Sequence, residues 1–233
     1  MISVVIATYN KYAALKRTLR SIYAQHLPPE CEVIVVSDGS DDATVTLAQE
    51  FPIRYFYLHR SGLRNPGPAR NLGYREAQGD IIIAQSDEVE HRTPGTIAKL
   101  ASRLTPSSCV FAKVENVDEG GNRVQSDYWP RTRIHRSYFF LGALWKEDLY
   151  AVGGNDEEFK YPDGGEDRWL SSCLEHRGCS FVFCDDIVGW HYDHPRPHRT
   201  PEGERAARSL AKWKIIEATA GRHPWTARTG AWQ

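Results

Sequence analysis

The sequence predicts an α/β protein with a mainly parallel, Rossmann-like sheet and helices on both of its faces. Short apolar runs alternate with amphipathic stretches through the first half of the chain. Repeated strand-helix-strand units favour parallel strands, because a crossover helix is the usual way to join them. The predicted strands cover residues 3–8, 32–37, 53–58, 81–85 and 109–114.

Four helices are expected among these strands. Apolar side chains at helical spacing predict the first over residues 11–25. The second should begin at Ser40 or Asp41, either of which can cap a first turn. Its buried side chains should be Val45, Leu47 and Ala48.

Prolines predict where the other two helices begin. Pro68, after Gly67, and Pro94, after Thr93, suit first helical positions. The second half of the chain is less regular. It should contain a hairpin at 119–122, an aromatic run at 138–140 and a helix around 170–174.

Composition excludes several classes of protein. The 233 residues carry 29 Lys+Arg against 30 Asp+Glu, which excludes a uniformly basic surface for nucleic acid. The longest apolar run, 138–145, is far shorter than the roughly 20 residues that cross a bilayer, so no membrane span is expected. No basic leader precedes the first strand, so the expected location is cytoplasmic.

The five cysteines are odd in number and scattered, which favours reduced, buried thiols. A zinc site is the alternative, but its candidate ligands lack paired Cys-x-x-Cys spacing, and packing is favoured. Those candidates are Cys173, His176, Cys179 and Cys184.

Polar and acidic residues follow three of the predicted strands. They occupy positions 8–10, 38–42 and 86–91. In open α/β sheets, ligands bind beyond the carboxyl ends of the strands. The sequence therefore predicts a ligand site at this edge.

Five motifs in series resemble family 2 GT-A glycosyltransferases. The resemblance spans roughly residues 3–194. The motifs are SVVIATYN at 3–10, EVIVVSDGSDDAT at 32–44, PARNLG at 68–73, VGGNDEEF at 152–159 and GGED at 164–167. The resemblance implies a GT-A fold with a smaller acceptor-side subregion. It implies one catalytic domain over 1–195, divided into a nucleotide-sugar half (1–92) and an acceptor half (93–195).

The resemblance also implies a donor site. Asp38 would accept a hydrogen bond from a uracil imide, and the start of the third helix would favour a diphosphate. A tight turn with a helix cap is the alternative for residues 38–40, and a solvated surface position is the alternative for Arg70. The implied donor-binding residues are Ala7, Thr8, Tyr9, Asn10, Asp38, Arg70, Asn71, Ser86 and Asp87.

The metal motif departs from the family pattern. Members usually carry Asp-x-Asp after the fourth strand, and here Ser86 and Glu88 take the two acidic slots, with Asp87 between them. Mn²⁺ or Mg²⁺ on a diphosphate needs hard oxygen ligands but few from protein. Glu88 is the first candidate, with Asp87 or Glu90 as a second contact. An acidic strand end without metal is the alternative.

Histidines after a strand-like segment at 187–190 add a further candidate ligand. Several metal-dependent family members supply a histidine to the metal from this region. His191 directly follows the segment, and His194 is the alternative. A packed or surface histidine is the competing interpretation.

The resemblance assigns the chemistry to Glu166 and Asp167. Inverting transfer needs a carboxylate that takes the proton of the acceptor hydroxyl, and Asp167 occupies that position. Glu166 would orient the acceptor, and Gly164–Gly165 would allow close approach. A helix N-cap is the alternative role for Asp167.

The C-terminal segment 196–233 is basic. Its eight Lys/Arg against three Asp/Glu give a net charge of +5, so the rest of the chain carries -6. A solvated helix packed on the same domain competes with a segment that closes over donor phosphates or docks an acidic acceptor.

The predicted function is inverting, metal-dependent sugar transfer from a nucleotide-sugar, most plausibly a UDP-sugar. The acceptor stays open among a glycan, a lipid-linked sugar, a protein, a small molecule and a modified nucleic-acid base. A catalytically silent binding module is the alternative. A nucleotidyltransferase is disfavoured because no Gly-rich phosphate loop follows the first strand.

Overall fold

Eight strands of one sheet and six helices organise the residues that this computed structural model describes, which are 1–60, 65–124, 138–159 and 166–192. The strands are β1 (Ile2–Thr8), β2 (Cys31–Ser37), β3 (Arg54–Tyr57), β4 (Ile81–Ser86), β5 (Val89–His91), β6 (Ser108–Val117), β7 (Leu141–Trp145) and β8 (Ser180–Tyr192). The helices are α1 (Tyr12–Tyr23), α2 (Leu47–Glu50), α3 (Gly67–Glu76), α4 (Thr96–Ser102), α5 (Lys146–Ala151) and α6 (Glu166–His176).

The sheet is mainly parallel, as the sequence predicts. Its strand order is β3-β2-β1-β4-β7-β6-β8-β5. The first four strands in this order are parallel to one another, and so are β6 and β8. β7 is antiparallel to β4 and β6, and β5 is antiparallel to β8 at the edge. Among the described strands, only β5 and β7 therefore run against the common direction.

Helices cover both faces of this sheet. Because side chains alternate along β1, Val5 faces one side of the sheet, and Val4 and Ile6 face the other. Side chains of α3, α5 and α6 pack on the Val5 side, and those of α1, α2 and α4 pack on the opposite side. The predicted layering is confirmed.

The link between β4 and β5 forces the sheet to curl. Only Asp87 and Glu88 separate the two strands, although the sheet order places β7, β6 and β8 between them. In a flat sheet, strands about 4.8 Å apart would put β5 about 19 Å from β4. Three residue steps reach at most about 11 Å. The β5 edge therefore returns towards the carboxyl end of β4.

The predicted second helix is wrong in its start and in two of its three buried side chains, while Leu47 is buried as predicted. A 3-10 turn, Ala43–Thr46, precedes the single turn of α2. Asp42, not Ser40 or Asp41, provides the cap, and its carboxylate also accepts a hydrogen bond from the Tyr12 N–H. Because the helical segment starts only after Asp42, few residues remain for a helix before β3 begins at Arg54. The buried side chains are Thr44 and Leu47, whereas Val45 and Ala48 are exposed.

Other boundaries shift by smaller amounts. α4 begins at Thr96, because Gly95 adopts a left-handed conformation that separates the helix from Pro94. α3 follows the prediction, with Pro68 in its first turn. The hairpin turn at 119–122 is present, with a bridge between Val117 and Arg123. β5 lies where the sequence predicts only an acidic loop.

Close contact fixes α3 on the sheet. A Cβ at Gly73 would overlap Val5 Cγ1 and lie 3.2 Å from Val36 Cγ2. Any side chain at position 73 would push α3 away from β1 and β2. Gly73 therefore sets the height of the helix that carries Arg70 and Asn71.

All five cysteines are free thiols, and four of them are buried. The described parts of the chain contain no group of three His, Cys, Asp or Glu side chains that converges as a metal site, so the zinc alternative is wrong for the residues described. No helix in those parts has the length and apolar character needed to cross a bilayer. His194, Gly164–Gly165 and the segment 196–233 lie outside the described residues.

Candidate active site

The polar segments predicted to converge do lie at one edge of the sheet. Thr8 at the end of β1 is in register with Ser37, and the adjacent Ala7 is in register with Ser86 at the end of β4. The loops that follow β1, β2 and β4 therefore leave the sheet side by side. This edge holds most of the candidate residues.

The loop after β1 is tied to the loop after β2. Asn10 has a left-handed φ of 50°, and its side chain exchanges two hydrogen bonds with Asp41, at 2.7 and 2.9 Å. Its backbone N–H donates to the Ser40 hydroxyl. Thr8 is buried, Ala7 is half-buried and Tyr9 is exposed. Asn10 thus joins the loops that follow β1 and β2, and the Tyr9 side chain beside it is exposed.

Asp38 is held by a cation that the sequence analysis missed. The Arg60 guanidinium lies 2.7 Å from Asp38 Oδ2 and also donates to the Asn65 carbonyl oxygen. The Asp38 side chain is 5% exposed. Burial of a carboxylate is costly without a partner, so Arg60 stabilises the charged form of Asp38 in this position.

Arg70 is buried and paired with a carboxylate. Its Nη1 forms a buried ion pair with Asp167 Oδ1, and the two side chains are 7% and 10% exposed. Burial by itself lowers the pKa of Arg70, but the charges of Asp167 and its neighbours raise it above the usual range. The structure therefore joins Arg70 to the predicted base, and its contact with the donor stays a prediction.

Asn71 is fully buried and joins α3 to the loop at 155–157. Its amide nitrogen donates to the Asn155 carbonyl oxygen and to Glu157 Oε1, both at 2.8 Å. Its amide oxygen accepts from the Asn155 N–H at 2.8 Å. These bonds fix Asn71 between α3 and the loop, and its contact with the donor stays a prediction.

Two adjacent carboxylates open α6. Glu166 and Asp167 are both buried, although acidic side chains are rarely so enclosed. Burial and the charge of Asp167 raise the pKa of Glu166 to about 7, and Arg70 partly offsets the increase. Asp167 is the second residue of α6, and its carboxylate faces Arg70. The site thus holds two carboxylates and one cation in a water-poor environment.

The turn after β4 brings the two leading metal candidates together. Glu88 Oε2 lies 3.3 Å from His191 Nε2, and His191 Nδ1 lies 2.7 Å from Asn116 Oδ1. With Nδ1–H donating to Asn116, Nε2 presents its lone pair to the carboxylate. Two lone-pair atoms at this distance need a proton or a cation between them.

The donor set fits a divalent cation. Two ligands about 2.1 Å from one octahedral ion lie about 3 Å apart, close to the observed separation. Burial and the charge of Glu88 raise the pKa of the neighbouring Asp87, although Lys11 counteracts them. Since no third acidic or histidine ligand converges here within the described ranges, the site would be open, with positions left for donor oxygens or water.

Lys11 forms ion pairs with both carboxylates of this turn. Its Nζ lies 2.7 Å from Glu88 Oε2 and 3.9 Å from Asp87 Oδ1. Lys11 directly follows the SVVIATYN motif, and this position could have marked it as a site residue from the sequence alone. Arg60 and Asn116 had no such signal, because tertiary contacts alone bring them to the site.

Glu90, the other predicted second contact, lies on the opposite face of β5 from the Glu88–His191 pair. It pairs with Trp190 across β5 and β8, whereas His191 pairs with Val89. Because successive strand residues point to opposite faces, Glu90 points away from the His191 side chain. Its carboxylate instead accepts hydrogen bonds from Tyr192 and Arg92.

Comparison with known proteins identifies the family. The sequence model described as Glycosyl transferase family 2 matches residues 3–155, about two thirds of the chain. The chain belongs to glycosyl transferase family 2. The resemblance read from the motifs is thereby confirmed.

Relatives of this family 2 chain agree with the assignment. It is 38% identical over 165 residues to an uncharacterized glycosyltransferase, YwdF, of Bacillus subtilis, covering 64% of this chain and 59% of YwdF. The chain therefore spans about three fifths of that relative's length.

Solved structures show the same GT-A fold at low sequence identity. S. aureus TarS in complex with UDP-GlcNAc superposes with a TM-score of 0.69 at 18% identity, covering 92% of this chain and 66% of that one. A mannosyltransferase from Pyrobaculum calidifontis, in complex with GDP-Man and Mn²⁺, gives 0.65 at 19%, covering 93% and 64%. The predicted fold class is confirmed.

Loss of Arg70 should destabilise this family 2 chain strongly. Arg70→Met leaves the buried Asp167 without its cation, and we expect unfolding in guanidinium chloride to show a loss of about 3–5 kcal/mol. Arg70→Met combined with Asp167→Asn should lose less than the sum of the single variants. Arg103→Met, which breaks the more exposed pair with Asp186, is the matched control and should have a much smaller effect. Equal losses in the two Met variants would contradict this account.

Glu166 should make stability fall as the pH rises. Its folded pKa of about 7 lies above the ordinary 4.5, so between these values the folded state holds a proton that the unfolded state releases. Stability from this proton is complete below pH 4.5 and is lost as the pH rises through 7. Glu166→Gln should therefore gain stability relative to wild type between pH 5 and pH 8 in urea unfolding. Parallel pH curves for the two proteins would show the prediction to be wrong.

Proposed function

We propose that this chain is the catalytic part of an inverting glycosyltransferase that uses a nucleotide-activated sugar and a divalent cation, Mn²⁺ or Mg²⁺. The observation that carries the proposal is the pairing of Glu88 with His191, whose other nitrogen is held by Asn116. The Mn²⁺ complex of the Pyrobaculum mannosyltransferase supports the same use of metal. Asp167, which lies beside Arg70, would supply the general base that the reaction also needs.

Glu88 and His191 would hold the cation, with Asp87 next to it. A bound divalent cation would offset the negative charge that grows on the leaving diphosphate. Asn116 keeps the proton of His191 on Nδ1, so that Nε2 stays available as a ligand. Lys11, already beside both carboxylates, supplies a further positive charge near the diphosphate.

Asp167 would act as the general base. The acceptor O–H bond breaks as the new glycosidic C–O bond forms, the bond from the sugar to the diphosphate breaks, and the proton ends on Asp167. Arg70 holds Oδ1 of this carboxylate, and Oδ2 would take the proton. Glu166, with a pKa of about 7, would carry a proton on part of the molecules at neutral pH, and this O–H would donate a hydrogen bond that orients the sugar acceptor.

UDP is the favoured nucleotide. Arg60 already binds one oxygen of the Asp38 carboxylate. This favours a base that offers a single N–H, as the uracil imide does, over guanine, whose paired N–H groups suit both carboxylate oxygens. The complex of TarS with UDP-GlcNAc is consistent with this choice. The acceptor would be a compound with a hydroxyl group. Its class stays open among a glycan, a lipid-linked sugar, a protein, a small molecule and a modified nucleic-acid base.

Replacement of the base should slow turnover strongly. With Mn²⁺ and a UDP-sugar, we expect wild type to release UDP and Asp167→Asn to release it about 10²–10⁴ times more slowly. Asp186→Asn, at an exposed ion pair, is the matched control and should keep the wild-type rate. UDP release by Asp167→Asn at that rate would remove Asp167 as the base. No release by wild type from UDP-, GDP- or TDP-sugars, with either cation, would overturn the proposed activity.

Metal affinity tests the other half of the site. Glu88→Gln and His191→Gln should each weaken Mn²⁺ binding in the presence of UDP by at least about tenfold, measured by electron paramagnetic resonance of free Mn²⁺. Glu175→Gln and His176→Gln, which change exposed side chains on α6, are the matched controls. Wild-type Mn²⁺ affinity in Glu88→Gln and His191→Gln would contradict the proposed ligands.

A further inference from the structure

The turn that carries Asp87 and Glu88 has no strand pairing between its two ends. β4 pairs with β1 and β7, and β5 pairs with β8. A hairpin between paired strands would hold such a turn through ladder hydrogen bonds. Here, side chains must supply that support.

Gln85 closes the turn. Its side-chain nitrogen donates to the Val89 carbonyl oxygen at 3.0 Å, which joins the last residues of β4 to the first residue of β5. The side chain is almost fully buried, at 1% exposure for the residue. Because the nitrogen is committed to a carbonyl, the Gln85 oxygen is the atom that faces His91.

His91 fixes the orientation of Gln85. Its Nε2 lies 2.9 Å from Gln85 Oε1, which can only accept, so Nε2 carries the proton. On the other side, Gln25 Nε2 lies 2.7 Å from His91 Nδ1. The orientation of Gln25 is fixed in turn, since its nitrogen donates to the Ser21 carbonyl oxygen and its oxygen accepts from the Thr96 N–H.

These bonds define one protonation state. Nδ1 of His91 accepts and Nε2 donates, so the ring is neutral. Burial lowers the pKa of His91 to about 3, which agrees with this assignment. Helix α1 adds two further supports. The Thr18 hydroxyl donates to the Asp87 carbonyl oxygen, and the Ser21 hydroxyl accepts from the backbone N–H of His91.

We propose that His91 is a positioning residue for the turn that carries Asp87 and Glu88. It holds Gln85 in the orientation that closes the turn, and through it sets the position of the Glu88 carboxylate relative to His191. The role in metal binding rests on the proposed function. The support of the turn does not, because it is built from hydrogen bonds within the chain.

Two measurements test the proposal on the intact chain. His91→Leu removes both ring hydrogen bonds, Gln85→Leu removes the bond to Val89, and His91→Gln can replace both bonds of the ring. Leu149→Ala is the stability control, because Leu149 is buried in α5. Helix α5 begins beside Asp80, at the amino end of β4 and so at the other end of this strand from the turn. The readouts are Mn²⁺ affinity with UDP and hydrogen exchange of the peptide covering 86–90 in the metal-free protein.

We expect the two Leu variants to bind Mn²⁺ about 10–100 times more weakly and to exchange faster over 86–90. His91→Gln should retain most of the affinity, and Leu149→Ala should keep affinity and local protection. UDP affinity measured in EDTA should be unchanged in Leu149→Ala. Wild-type exchange over 86–90 in folded His91→Leu and Gln85→Leu would overturn the proposal. If wild type binds no Mn²⁺, the proposed metal site fails, and the exchange measurement alone decides the role of His91.

Discussion

The two-residue link between β4 and β5 is the constraint on which the rest of the site depends. It forces a sheet of eight strands to curl, since the strand order would otherwise carry β5 beyond the reach of so short a connection. The curl brings β8 alongside β5, and the register between them sets His191 opposite Val89. His191 thereby faces Glu88, although more than a hundred residues separate the two in the chain.

A second feature of the site is the pairing of three candidate carboxylates with cations. Asp38 is paired with Arg60, Glu88 with Lys11, and Asp167 with Arg70. Buried or half-buried carboxylates need such partners, because isolated charges are costly away from water. Each pairing thus stabilises a carboxylate that the folded chain holds largely away from water.

Local patterns predicted most of the central sheet, because buried parallel strands read as continuous apolar runs and their helices repeat at 3.6 residues. Prediction failed where residues serve distant partners. Asp42 binds Tyr12 as well as its own turn, so the second helix starts late and buries Thr44 instead of Val45. β5 was missed because three residues with acidic neighbours carry no strand pattern, and only pairing with β8 makes them a strand.

The sequence by itself determined the fold class, the family and the chemical character of the site, since motifs and apolar periodicity are local properties of the chain. It also singled out Glu88, His191, Glu166 and Asp167 as candidates. Only the tertiary structure decided how they are partnered. It paired Arg70 with Asp167 and Glu90 with Tyr192 and Arg92. It also brought Lys11, Arg60 and Asn116 to the site. Side-chain partners depend on sheet order, curl and register, and these are set by packing between distant segments.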